Sequence, residues 1–78
     1  MTSILDTVRN HRLPPPKVAQ AIRRAAGVTQ QQLADALGVH VITVGRWEAG
    51  TRTPRGELRD RYREVVEELR AFVEGDDK

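Results

Sequence analysis

The side chains that could support catalysis or bind a metal are few and scattered. The chain has two histidines, His11 and His40, and no cysteine, so a thiolate nucleophile and a thiolate zinc site are excluded. A predicted helix and a loop separate the two histidines, and no His, Asp and Glu residues recur at metal-ligand spacing. No glycine-rich phosphate loop is present either. The sequence therefore predicts no catalytic residue, metal, cofactor or small-molecule ligand, and it does not indicate an enzyme.

Basic side chains are concentrated before residue 64. Residues 12–63 contain ten Lys or Arg and four Asp or Glu, whereas residues 64–78 contain two and six, although the net charge of the whole chain is only +2. A basic body with an acidic end suits a polyanionic partner for the body. An ordinary solvated surface has the same composition, so charge alone leaves both interpretations open.

The length of 78 residues is typical of one small domain with a modest core. No apolar run approaches the roughly 18 residues that span a membrane. The N-terminal residues MTSILDTVRNHR lack the apolar core of a signal peptide. We therefore expect a cytoplasmic protein that does not associate with membranes.

Prolines separate an N-terminal segment, residues 1–15, from the rest of the chain. Ser3 is a candidate N-cap for a short helix in this segment. The run LPPP, residues 13–16, ends any helix before it, because proline disfavours helical backbone at the preceding residue. Pro16 itself suits the first position of a new helix, where its missing N–H is not needed.

Glycines and caps then predict three short helices. The helix from Pro16 ends near Gly27. Thr29 with Gln32 three residues later forms a capping box for the next helix, which Gly38 ends. A third helix runs from about residue 41 to residue 47 or 48. Only two residues separate Gly38 from this third helix, a spacing that sets two helices at a steep angle.

The segment 57–74 contains no Gly or Pro and predicts a long amphipathic helix, followed by an acidic tail at residues 75–78. Its apolar residues recur at i, i+4, i+7 and i+8, and the other helices are too short to cover all of them. We expect the early ones to face the core and the later ones to pack against a second subunit, the latter being Leu69, Phe72 and Val73. The predicted fold class is all-α, a small bundle of four to five helices.

The stretch AIRRAAGVTQQQLADALGVHVITVGRWEAGTRTP resembles the helix-turn-helix domain of the Cro and phage-repressor family. The resemblance covers about residues 18–54 and rests on several markers, namely Gly27, Gln30, the Leu33-Ala34 pair, Gly38, the run Arg46-Trp47-Glu48, Gly50 and Pro54. It implies a domain, here residues 16–74, that binds double-stranded operator DNA, generally as a homodimer. It also implies a transcriptional regulator, repressor-like and of phage or mobile-element origin, acting in a bacterial cytoplasm or that of a phage host.

Residue roles follow from the matching positions. The resemblance assigns base contacts to Val41, Ile42, Thr43 and Arg46, with the third helix in the major groove. It assigns phosphate contacts to Thr29, Gln30, His40, Thr51, Arg52 and Arg55. His40, at the N-cap of the third helix, could instead serve as its cap. Arg23 and Glu48 match positions that form a structural ion pair in the family.

Val41 and Ile42 depart from the family, which usually has polar residues there. Val44 and Trp47 define the inward face of the third helix, so we expect both side chains to point away from the core. Two exposed apolar side chains at a helix end indicate a surface that is buried by a binding partner. The C5-methyl groups of thymine are apolar and could bury it.

A protein partner is the alternative cover for these apolar side chains. The alternative function is therefore an antitoxin or other protein-binding module that uses the C-terminal helix or the surface of Val41 and Ile42.

Overall fold

The computed structural model describes residues 12–75, so the predicted N-terminal helix and residues 76–78 of the acidic tail lie outside the described residues. Four helices follow one another: α1 (Pro16–Ala25), α2 (Gln30–Leu37), α3 (Val41–Ala49) and α4 (Gly56–Gly75). Between residues 12 and 75 no strand is present. The all-α bundle predicted from the sequence is confirmed.

The predicted helix boundaries have the expected local causes. Pro16 occupies the first turn of α1. The capping box at α2 is complete, because the Gln32 N–H donates to Thr29 Oγ1 over 3.0 Å and the Thr29 N–H donates to Gln32 Oε1 over 2.9 Å. Gly38 ends α2 with φ of 70°, a left-handed conformation that costs glycine little. The turn that follows brings α3 across α2.

The core lies where α1, α2 and α3 meet the first half of α4. Trp47 of α3 and Tyr62 of α4 pack their rings with centroids 4.7 Å apart. Partly buried side chains, among them Leu13 and Leu58, close the edges of this cluster. The buried apolar residues are Ala19, Leu33, Ala34, Leu37, Val44, Trp47, Tyr62 and Val66.

Helix α4 is one continuous helix of 20 residues, about 30 Å long at 1.5 Å per residue. Val66, at 1% exposure, is its last fully buried apolar residue, and Phe72 is 58% exposed. Leu69 and Val73 are half-buried. The apolar stripe of α4 therefore extends beyond the core. Within residues 12–75, none of the helices has the length and apolar character needed to cross a membrane.

Candidate nucleic-acid interface

The side chain of His40 caps the start of α3. The Ile42 N–H donates to His40 Nδ1 over 3.1 Å. Because Nδ1 accepts a hydrogen bond, the ring proton of the neutral histidine is on Nε2. His40 is exposed, so the Nε2–H remains a donor at the surface beside the first turn of α3.

Val41 and Ile42 occupy different environments, and the expectation that both point away from the core is wrong for Val41. Val41 is half-buried and packs against the core cluster. The reason is helical spacing, since Val41 is three residues before the fully buried Val44 and lies on nearly the same face. Ile42 is 54% exposed. The apolar tip of α3 is therefore formed chiefly by Ile42.

A buried ion pair joins α1 to the end of α3. Arg23 Nε donates to Glu48 Oε2 over 2.6 Å, and Arg23 Nη2 donates to Glu48 Oε1 over 2.9 Å. Arg23 Nη1 donates to the carbonyl oxygen of Val28 over 2.8 Å, which ties in the loop before α2. The two residues are only 6% and 4% exposed. This arrangement fixes α3 relative to α1 and to the start of α2.

Gln30 also binds this carboxylate. Its Nε2 donates to Glu48 Oε1 over 2.9 Å, so the amide nitrogen contacts Glu48. Its amide lies over Gly45, where an added Cβ would be 3.9 Å from Gln30 Oε1. The Gln30 backbone N–H is in the first turn of α2, where N–H groups have no partner within the helix. The backbone N–H of Gln30 is therefore available to an external anion, whereas its side-chain amide nitrogen is hydrogen-bonded to Glu48.

The pKa values of the buried groups reflect this network. Burial acts to raise the pKa of Glu48, but hydrogen bonds from Arg23 and Gln30 and the charge of Arg23 outweigh it, so the pKa is lowered from 4.5. The hydrogen bond to Glu48 raises the pKa of Arg23. Burial, with the nearby charge of Glu48, raises the pKa of Tyr62 to about 12. At neutral pH the pair is ionised and Tyr62 is neutral.

The loop after α3 is held to that helix by its own backbone. The carbonyl oxygen of Arg46 accepts from the N–H groups of Thr51 and Arg52 over 3.0 and 3.3 Å, and from Thr51 Oγ1 over 3.3 Å. The loop therefore has a defined position beside the exposed face of α3.

An open concavity of about 710 Å³ lies between α3 and this loop. No carboxylate is among its lining residues in the described part of the chain. Five of the predicted contact residues line it: Thr43, Arg46, Thr51, Arg52 and Arg55. The other predicted contacts, Thr29, Gln30, His40, Val41 and Ile42, are at the starts of α2 and α3, outside this lining. The structure thus groups the predicted residues into a cationic concavity and a set of helix starts.

One partner of Glu48 was not predicted from the sequence. Gln30 Nε2 donates to the Glu48 carboxylate, although Gln30 was predicted as a phosphate contact. The contact of Gln30 depends on how α2 packs against α3 and has no local signal.

Together, a capped helix, a turn at Gly38 and a second helix with an exposed cationic edge define a helix-turn-helix unit. The family described as Helix-turn-helix matches residues 20–58, half of the chain. The chain therefore belongs to the Cro and repressor type of this family, whose members are DNA-binding transcriptional regulators rather than enzymes. No curated protein and no solved structure gives a significant match to the chain.

We predict that Glu48→Gln lowers the free energy of unfolding by about 3 kcal/mol at pH 7, because it leaves the Arg23 charge buried and without a counterion. The pKa of Glu48 is lower when folded, so the stabilisation is full above pH 4.5 and is lost as the pH falls through the folded value. Urea denaturation at pH 7 and below pH 4 should show this. Glu64→Gln, at an exposed residue of α4, is the control. Equal stability of the two variants at pH 7 would contradict the role of the pair.

Proposed function

We propose that the protein is a sequence-specific regulator of transcription that binds double-stranded DNA with α3 in the major groove. The observation that carries this proposal is the cationic concavity, which Arg46, Arg52 and Arg55 line and to which residues 12–75 contribute no carboxylate. The buried Arg23–Glu48 pair holds α3 beside it. Resemblance to Cro and phage repressors supports a repressor-like role and a phage or mobile-element origin.

Base recognition is assigned to the exposed side of α3. The guanidinium of Arg46 is exposed and can bond O6 and N7 of one guanine, a pairing worth about 1 to 3 kcal/mol of discrimination. Ile42, exposed and one turn before Arg46, suits the C5-methyl group of thymine. Thr43 can contact either a base or a phosphate, and Val41 adds apolar surface only at its exposed edge. The expected site has thymine near the start of α3 and guanine near Arg46.

Phosphate contacts are assigned to groups on both sides of α3. On one side are Thr51, Arg52 and Arg55 in the loop that follows it. On the other side are Thr29 and the backbone N–H of Gln30 at the start of α2, where the helix dipole favours an anion. The exposed Nε2–H of His40 is a further donor. These contacts supply affinity and salt dependence but little sequence information.

Arg46→Ala and Arg52→Ala should have different effects on DNA binding. We expect Arg46→Ala to reduce the preference for the specific duplex over an unrelated duplex by about tenfold, because a base contact is lost. Arg52→Ala should weaken binding to both duplexes alike. It should also reduce the slope of log binding constant against log salt concentration by about one. Fluorescence anisotropy at several salt concentrations measures both effects. If both variants lost the same amount of affinity for both duplexes, the assignment of Arg46 to a base contact would be contradicted.

A homodimer is proposed through the second half of α4. Phe72 is 58% exposed, while Leu69 and Val73 are half-buried on the same stripe, beyond Val66 where the core ends. A two-fold copy of this surface would cover these side chains, because such an interface is self-complementary. Dimeric helix-turn-helix proteins bind palindromic sites with half-sites about 34 Å apart, so a homodimer fits the proposed DNA binding.

Phe72→Glu should reduce dimerisation by at least about tenfold, because a buried charge without a partner is strongly unfavourable. Sedimentation velocity, with and without DNA, gives the mass. Ala71→Glu introduces the same charge at the adjacent exposed position of α4 and should leave the mass unchanged. A wild type that is monomeric both in solution and on DNA would contradict the homodimer. It would favour the second candidate function, in which this surface binds another protein such as a toxin.

A further inference from the structure

A second cavity, behind the cationic concavity, has the shape and chemistry of a small-molecule site. Its volume is about 300 Å³, at the lower end of the range for ligand pockets. Trp47 and Tyr62 form its floor, and the proline segment 14–16 forms one wall. Both aromatic residues are under 5% exposed and packed against each other, so the floor is rigid.

The proline wall makes the cavity preorganised. Proline has a fixed φ and loses little conformational entropy when it is held in place. Pro54, which is buried, also lines the cavity. A ligand that enters therefore meets apolar surfaces that need little ordering, a condition that favours binding.

The rim of this cavity is cationic. Arg12, Arg52 and Arg59 line it, and among the lining residues between 12 and 75 there is no carboxylate. Asp60 is an acidic neighbour of this rim, with its Oδ1 3.8 Å from Arg59 Nη1 and its side chain 60% exposed. Apolar walls below three guanidinium groups match a ligand with an aromatic body and an anionic head.

We propose that this cavity binds a small aromatic carboxylate, with the ring beside the proline segment and the exposed edges of Trp47 and Tyr62, and the carboxylate among the three arginines. The aromatic and proline lining favours an apolar ring over a sugar or a bare anion. The guanidinium groups select the carboxylate over a neutral head, because their planar donors bind carboxylates in a bidentate way.

Occupancy of this cavity opposes DNA binding. Arg52, Thr53, Pro54 and Trp47 line both this cavity and the cationic concavity. A ligand carboxylate bound to Arg52 competes with the DNA phosphate that is assigned to this guanidinium. It also adds a negative charge beside the DNA backbone. The ligand is therefore a small-molecule antagonist of DNA binding. This coupling rests on the proposed function, whereas the binding site does not.

Binding is tested on the full chain without DNA, with naphthoate as the probe and the neutral naphthamide as its matched control. Trp47 is the single tryptophan, so its indole N–H resonance in an NMR spectrum reports on the cavity floor. We expect naphthoate to shift this resonance and to saturate at about 1 mM. Naphthamide should bind about tenfold more weakly. No shift with naphthoate, or equal binding of both compounds, would overturn the proposal.

The rim is tested with Arg59→Gln and its control Arg24→Gln, an exposed arginine of α1 that lines neither cavity. Arg59→Gln should weaken naphthoate binding about threefold, while Arg24→Gln should have no effect. Equal weakening by both variants would show a general effect of charge and overturn the site. The site would also be overturned if the Trp47 resonance changed on protein dilution but not on addition of naphthoate, because a second copy of the chain would then cover the cavity.

The coupling is tested with DNA present. Naphthoate should weaken DNA binding by about fivefold or more, and DNA should weaken naphthoate binding by the same factor. Naphthoate binding that leaves DNA affinity unchanged would overturn the antagonism. If the protein binds no DNA at all, the proposed function fails while the Trp47 measurement still decides the site.

Discussion

The relative positions of three helices depend on a single buried carboxylate. Glu48 at the end of α3 accepts two hydrogen bonds from Arg23 of α1 and one from Gln30 of α2, and Arg23 also binds the Val28 carbonyl. Removing both charges from water is costly, and a buried pair adds little net stability unless its hydrogen bonds are complete. Here they are numerous and directional. We infer that the network mainly sets the orientation of α3, which an apolar contact of the same volume would define less sharply.

The positions of the proposed DNA surface and the proposed ligand site depend on the orientation of α3. With Glu48 anchored, Gly45 lies under Gln30 and Arg46 faces outward, while the carbonyl of Arg46 holds the loop that carries Arg52. Trp47, on the opposite side of the same turn, packs on Tyr62 and forms the floor shared by the two cavities. One turn of α3 thus connects the core, the proposed DNA surface and the proposed ligand site. Helix α4 covers the core through Val66 and extends a further half-covered apolar stripe.

Much of this architecture could be predicted from the sequence, because its signals are local. The capping box at Thr29, the left-handed Gly38 and the period of α4 depend on neighbouring residues alone, and each is present as predicted. The partial burial of Val41 also has a local signal, its three-residue spacing to the inward-facing Val44, which the expectation for Val41 and Ile42 overlooked. The contact of the Gln30 amide with Glu48 has none, because it depends on how α2 packs against α3. The second cavity was missed because residues 12–16 and residue 62 are distant in the chain.

If α3, held by the Glu48 network, recognises a specific DNA sequence, the protein should select that sequence from random duplex DNA at moderate salt. We expect enrichment of a short palindromic site, with guanine at a fixed position in each half and thymine near it. Because Ile42 is the exposed large apolar residue of α3, the thymine preference should be lost with Ile42→Ser while the guanine preference remains. If the wild-type protein enriches no common sequence, α3 does not recognise specific bases.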